Sequence, residues 1–165
     1  MDESLMPDWI KKRLQAEQLE KAEEEAKRQR SLAGGLLIEK ERPRFWRQLQ
    51  EKLNIDVQFL PKLGIIGSIS AHPGAPSNPS LRINMMRSGI YPNQTYTDVF
   101  LDANRIRCTT LGDGAYSFQF CVVSDTEIAV MNEANGQRMD SGQASEYILR
   151  RMVELIDRQD MRSTS

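Results

Sequence analysis

The sequence predicts an α+β fold: a mostly antiparallel sheet of five or six strands packed against two helices, preceded by a long charged N-terminal helix. Three observations predict it. Residues 11–30 carry twelve charged side chains with no glycine or proline, residues 55–133 change to short runs of strand-forming residues cut by turn letters, and residues 140–156 return to an apolar stripe of helical period. The 165 residues are the length of one domain with an appendage. The expected divisions are a charged helical arm at 1–35, a globular domain at 36–158 and a frayed tail at 159–165.

The arm should be held helical by its own surface. Glu17 with Lys21, Glu23 with Lys27 and Glu24 with Arg28 each place the acid four residues before the base, which supports a helix by roughly 0.2–0.5 kcal/mol per pair. A 3.5-residue series through Leu5, Trp9, Lys12, Ala16, Leu19, Glu23, Ala26, Arg30 and Ala33 is apolar at six of nine places, and three of the six are alanine. That seam is too thin for a self-sufficient coiled coil, so the arm is expected to lie on its own domain or on a partner. Leu5, Trp9, Ile10 and Leu19 are its candidate partner-binding residues.

Gly34 and Gly35 supply the backbone freedom that ends helices, and Leu36, Leu37 and Ile38 form the first dense apolar patch after them. Pro43 suits the first turn of a second helix over about 42–54, with Phe45, Trp46, Leu49 and Leu53 on one face to cover a sheet. Candidate strands are 56–60, 64–71, 81–87, 97–101, 105–111, 116–123 and 127–131, of which five or six are expected. The turns at Asp102-Ala103-Asn104, Gly112-Asp113-Gly114 and Ser124-Asp125-Thr126 are short enough for antiparallel neighbours. In the C-terminal helix Asp140 and Gln143 have capping-box spacing, and Ala144, Ile148, Leu149, Met152, Val153, Leu155 and Ile156 form the inward stripe.

One hairpin can be read to its register. Period two sorts Ile106, Cys108 and Thr110 with Phe118, Phe120 and Val122 into an apolar set, against Arg105, Arg107 and Thr109 with Ser117, Gln119 and Cys121. A two-residue turn would place even residues opposite odd ones and mix phenylalanine with arginine on each face. A three-residue loop with Gly114 supplying the positive φ keeps one face apolar. Cys108 then points inward and Cys121 outward, so no disulfide joins them. The same register gathers Arg105 and Arg107 on the outer face, and Arg82 extends that surface if its strand lies alongside.

The 22 basic and 23 acidic residues leave a formal charge of -1, so the whole chain has no field to recruit nucleic acid. No apolar run approaches the ~20 residues of a membrane helix, and the N-terminus is charged, so a cytoplasmic protein with no membrane contact is expected. His72 is the single histidine, which excludes multi-histidine metal sites. It reads as a loop residue before Pro73. Pro73, Pro76 and Pro79 have polyproline spacing without a basic flank and read as a rigid connection. Asn93-Gln94-Thr95 is a chance match to a glycosylation acceptor. Gly64-Ile65-Ile66-Gly67 and Gly112-Asp113-Gly114 lack phosphate-loop spacing, and Asp98, Asp102 and Asp113 lack the spacing of a calcium loop.

No catalytic residue, metal site or cofactor is therefore expected. The function expected is a non-enzymatic protein-interaction module whose arm joins a protein partner or a second copy. The alternative is an anion or single-stranded nucleic-acid binder using Arg82, Arg105 and Arg107 on the outer sheet face, which is possible but not favoured because Phe118 and Phe120 fall in the buried set, leaving Phe100 and Tyr96 to stack on bases. A small-molecule enzyme comes third.

Overall fold

The computed structural model describes residues 3–71, 79–87, 89 and 93–163. The fold is α+β, with a long N-terminal helix, a curled antiparallel sheet and a C-terminal helix. The chain divides into two compact units, Met1–Leu36 and Leu37–Ser165, and the hydrophobic core belongs to the second.

Helix α1 runs unbroken over Asp8–Val57. The expected stop at Gly34 and Gly35 is not there, and neither glycine adopts the positive φ of a helix cap. Each glycine costs a helix about 1 kcal/mol relative to alanine. That penalty is carried by strong helix formers on both sides, Leu32 and Ala33 before and Leu36, Leu37, Glu39 and Lys40 after. Pro43 lies inside the helix rather than at its start, where it has no N–H for the Glu39 carbonyl. Phe45, Trp46, Leu49, Leu53 and Val57 are the buried residues of α1, and their spacing is one helical stripe.

Val57 extends that stripe by one turn, so the expected strand at 56–60 is instead the end of α1 and the turn that follows it. Lys52 pairs with Asp56 at 3.0 Å across the same turn. A short 3-10 turn, Leu60–Leu63, then ends at Gly64 with φ 72°.

Seven strands follow, not five or six, and their order in the sheet is their order in the chain. They are β1 (Ile65–Ala71), β2 (Ser80–Arg87), β3 (Asn93–Leu101), β4 (Arg105–Thr110), β5 (Gly114–Val122), β6 (Ile128–Asn132) and β7 (Arg138–Met139). Every neighbouring pair is antiparallel. Six of the seven expected segments are strands. The seventh strand, β7, is two residues long, too short to show any alternation.

The β4–β5 hairpin has the register that hydrophobic alternation requires: Ile106 faces Phe118, Cys108 faces Tyr116, and Thr110 faces Gly114. Its three-residue loop is Leu111, Gly112 and Asp113, with Gly112 at φ 88° and Gly114 at φ 90°. Ile106, Cys108 and Phe118 are completely buried. Cys121, on the other face, is half-buried, and both thiols are free.

Helix α2 (Ser141–Ser163) packs on the inner face, contributing Ala144, Ile148, Met152 and Ile156 to the core. Its start is a reciprocal capping box: the Gln143 N–H donates to Asp140 Oδ1 at 2.8 Å, and the Asp140 N–H donates to Gln143 Oε1 at 2.9 Å. Helix α2 continues past residue 158, beyond which a tail is expected, as far as Ser163. Arg87 on β2 pairs with Asp157 at 2.8 Å and with Asp160, and the Asn93 amide also donates to Asp160. Among the described residues no helix is long and apolar enough to cross a membrane.

Candidate functional site

Two surfaces carry the residues singled out in the sequence. On the arm, Leu5 is 83% exposed, Trp9 66% and Leu19 63%, while Ile10 is half-buried. Leu14, Leu32 and Leu36 are exposed as well, and the first buried residue of α1 is Phe45. Arg13 with Glu17 and Arg28 with Glu25 form exposed ion pairs at 3.6 Å along this helix. Such pairs add little stability, so the arm offers apolar side chains on an otherwise solvated rod.

The second surface is the outer sheet face. Strand alternation brings Arg82 on β2 and Arg105 and Arg107 on β4 to this face, with β3 between them. Each arginine has a carboxylate. Arg82 and Asp98 lie directly opposite across β2 and β3 and make two hydrogen bonds, Nε to Oδ1 at 2.6 Å and Nη2 to Oδ2 at 2.9 Å. That bidentate geometry is the stronger kind of ion pair, and the bond to Asp98 raises the Arg82 pKa further above its ordinary value. Arg107 pairs with Asp102, and Arg105 with Glu133 at 3.6 Å. Glu133 also accepts from the Ser117 hydroxyl.

The exposed-face aromatics are covered by the same arginines. The Arg82 guanidinium lies 4.1 Å from the Tyr96 ring centre and that of Arg107 lies 5.5 Å from Phe100. These rings and charges are thus engaged with one another. The sequence shows the arginines but not their partners, because Asp98, Asp102 and Glu133 become neighbours only once strand order and register are known.

The three aspartates weighed as cation ligands are placed by the same logic. Asp98 and Asp102 hold Arg82 and Arg107, and Asp113 holds Arg151 at 2.6 Å with Arg158 at 3.7 Å. Among the described residues no group of three or more His, Cys, Asp or Glu could hold a metal ion. Asn93, Gln94 and Thr95 begin β3. His72, Pro73 and Pro76 lie outside the described residues.

A cluster that sequence reading missed joins side chains of α2 to β5 and the β4–β5 loop. Arg151 stacks 4.4 Å from the Tyr116 ring centre and donates to the Tyr147 hydroxyl at 2.9 Å. Tyr116 packs edge-on against Phe118 and Tyr147, and burial pushes its hydroxyl well above the usual phenol range. Cys108 beneath it is sealed from water, and burial pushes its thiol up to about 12. A thiol held protonated in this way is a poor nucleophile, so the cluster packs and locks α2 rather than presenting a reactive group.

Beside it, α2 and the Leu60–Leu63 turn enclose an open groove of about 580 Å³, with Leu60, Leu63, Leu149 and Val153 among its lining. Lys52, Asp56, Glu146, Arg150 and Glu154 also border it, with charges of both signs. Comparison of the chain with known proteins finds no matching family model, no matching curated protein and no matching solved structure.

Proposed function

We propose that this chain is a non-enzymatic protein-interaction module whose helical arm binds a protein partner or a second copy. The observation that carries the reading is the burial profile of the N-terminal turn Glu3–Leu5 and of α1, which leaves Leu5, Trp9 and Leu19 exposed and has Phe45 as its first buried residue. Large apolar side chains held on a helix but not used by the chain's own core are what a partner helix or groove recognises. The alternative, anion or single-stranded nucleic-acid binding through Arg82, Arg105 and Arg107, has less support because three carboxylates already offset those three charges.

The test is light scattering coupled to size exclusion, with hydrogen exchange on the arm. The quadruple variant Leu5→Ala, Trp9→Ala, Ile10→Ala, Leu19→Ala should show a lower mass than the native chain, or faster exchange of arm amides in the presence of the partner, with the same thermal unfolding. Equal masses, together with arm amides that exchange as fast as a free helix in both proteins, would refute the reading.

A further inference from the structure

The two edges of the sheet differ in kind. One ends at β7, which is two residues long and carries Arg138, so shortness and charge blunt it against further pairing. The other is β1, seven residues long, reading Ile-Ile-Gly-Ser-Ile-Ser-Ala. It contains no proline and no charge, and no Asp, Glu, Lys or Arg occurs anywhere from Leu63 to Leu81. Its pairing with β2 is continuous from Ile65↔Arg87 to Ala71↔Leu81, without a bulge to twist the edge away. Among the described residues no backbone pairs with its other side.

We propose that β1 is a pairing edge, and that two copies of this chain join their sheets through it, antiparallel, across a two-fold axis at Ser68. Only an axis at Ser68 pairs all seven residues: Ile65 with Ala71 of the copy, Ile66 with Ser70, Gly67 with Ile69, and Ser68 with itself. Residues of equal parity then meet, so inner face continues into inner face and outer into outer. Ile69, half-buried in one chain, falls opposite Gly67, where Leu60 and Val57 of the same chain fill the place a side chain would take and offer an apolar neighbour. Ile66, 57% exposed in the single chain, gains a cross-strand neighbour.

The choice of a second copy follows from charge. A two-fold interface sets each residue near its own duplicate, so any charge on the edge would meet its like. An uncharged run of this length removes that repulsion. The pairing is independent of the arm, since β1 belongs wholly to the unit Leu37–Ser165.

The experiment uses the full chain with Cys121→Ser, which removes the more accessible native thiol. Ser68→Cys and Ser70→Cys are compared under mild oxidation; both positions are exposed, so neither change strains the fold. Directly opposed residues sit about 4.5–5.5 Å apart at Cα, within disulfide reach, whereas residue 70 and its copy would lie four residues out of register, about 13 Å apart. Ser68→Cys should give a disulfide-linked dimer, and Ser70→Cys less than about a tenth as much. In a separate variant on the background Leu5→Ala, Trp9→Ala, Ile10→Ala, Leu19→Ala, which removes the arm's contacts, Ser68→Lys sets two like charges across the axis and should halve the mass of that background by light scattering. Equal cross-linking at both positions, no cross-linking at either, or an unchanged mass for Ser68→Lys would overturn the two-fold pairing and leave the edge to an extended segment of another protein.

Discussion

Leucines 19 and 53 lie on the same helix, α1, and differ almost completely in burial: 63% exposed against none. The same substitution at the two places therefore separates the arm from the core without changing the chemistry of the perturbation. Leu53→Ala removes a fully enclosed side chain from the stripe of Leu49, Leu53 and Val57, and such truncations cost about 2–5 kcal/mol, part lost transfer energy and part cavity. With Leu49 and Ile65 also fully enclosed in that core, little collapse is available and the expected loss is about 3–4 kcal/mol. For a domain of this size that lowers the melting temperature by roughly 10 °C or more. Leu19→Ala removes a solvated side chain and installs the best helix former, so its expected effect is within about 0.5 kcal/mol. Urea unfolding followed by tryptophan emission is suitable because Trp46 is buried in the core while Trp9 is in water. The slope with urea should be the same for both variants and the native chain. If the arm self-associates, Leu19→Ala will lower the midpoint only in a concentration-dependent way. A loss for Leu19→Ala as large as that for Leu53→Ala at every concentration would show that the arm is part of the core, and the reasoning from burial would fail.

Three further outcomes follow from the sheet. A thiol reagent should modify Cys121 in the native protein much faster than Cys108, whose thiol burial pushes up to about 12. The same shift makes stability pH-dependent: below the unfolded thiol's pKa of roughly 8.5 both states keep the proton, and above it only the unfolded state releases it, so stability falls from there toward pH 12 by up to about 1.4 kcal/mol per unit. The buried Tyr116 hydroxyl acts in the same direction, and Cys108→Ala should flatten the fall; a native stability that stays level between pH 9 and 11 would contradict both. Arg105→Glu combined with Arg107→Glu breaks two exposed pairs, each worth at most about 1 kcal/mol, so the fold should persist with a loss under about 2 kcal/mol. Collapse of the fold in the double variant would mean that these side chains are structural.

What could be read from the sequence was whatever depended on neighbours along the chain. The β4–β5 register followed from alternation because a one-residue slip would have put Phe118 and Phe120 beside arginines. The capping box at Asp140 and Gln143 and the stripe from Phe45 to Leu53 needed only helical spacing. The errors came where a local signal was outweighed. Gly34 and Gly35 look like a stop, yet long helix-forming flanks carry the helix through them. The strand expected at 56–60 contained Val57, whose place in the Leu49 and Leu53 series had the stronger claim. Contacts between distant segments were out of reach altogether: the Arg82–Asp98 clamp spans two strands, and the Arg87 grip on Asp157 and Asp160 ties β2 to the last turns of α2. These contacts pair an outer-face arginine with a carboxylate and tie β2 to the final helix, and neither could be read from spacing along the chain.

The strand order β1 to β7 without a crossover has a consequence for how the chain acquires this structure. Each strand can pair as soon as the next one is available, so sheet formation requires only short loop closures and adds in the direction of synthesis. The core, however, closes only with Ile148, Met152 and Ile156, which follow all seven strands in the chain. A nascent chain stalled before α2 would hold a nearly complete sheet whose inner face is covered by the α1 stripe but not by Ile148, Met152 and Ile156. The interval between translating β7 and releasing α2 is therefore the period in which this protein is most exposed to misassociation, and synonymous changes that slow the ribosome there would reduce yield without altering a residue.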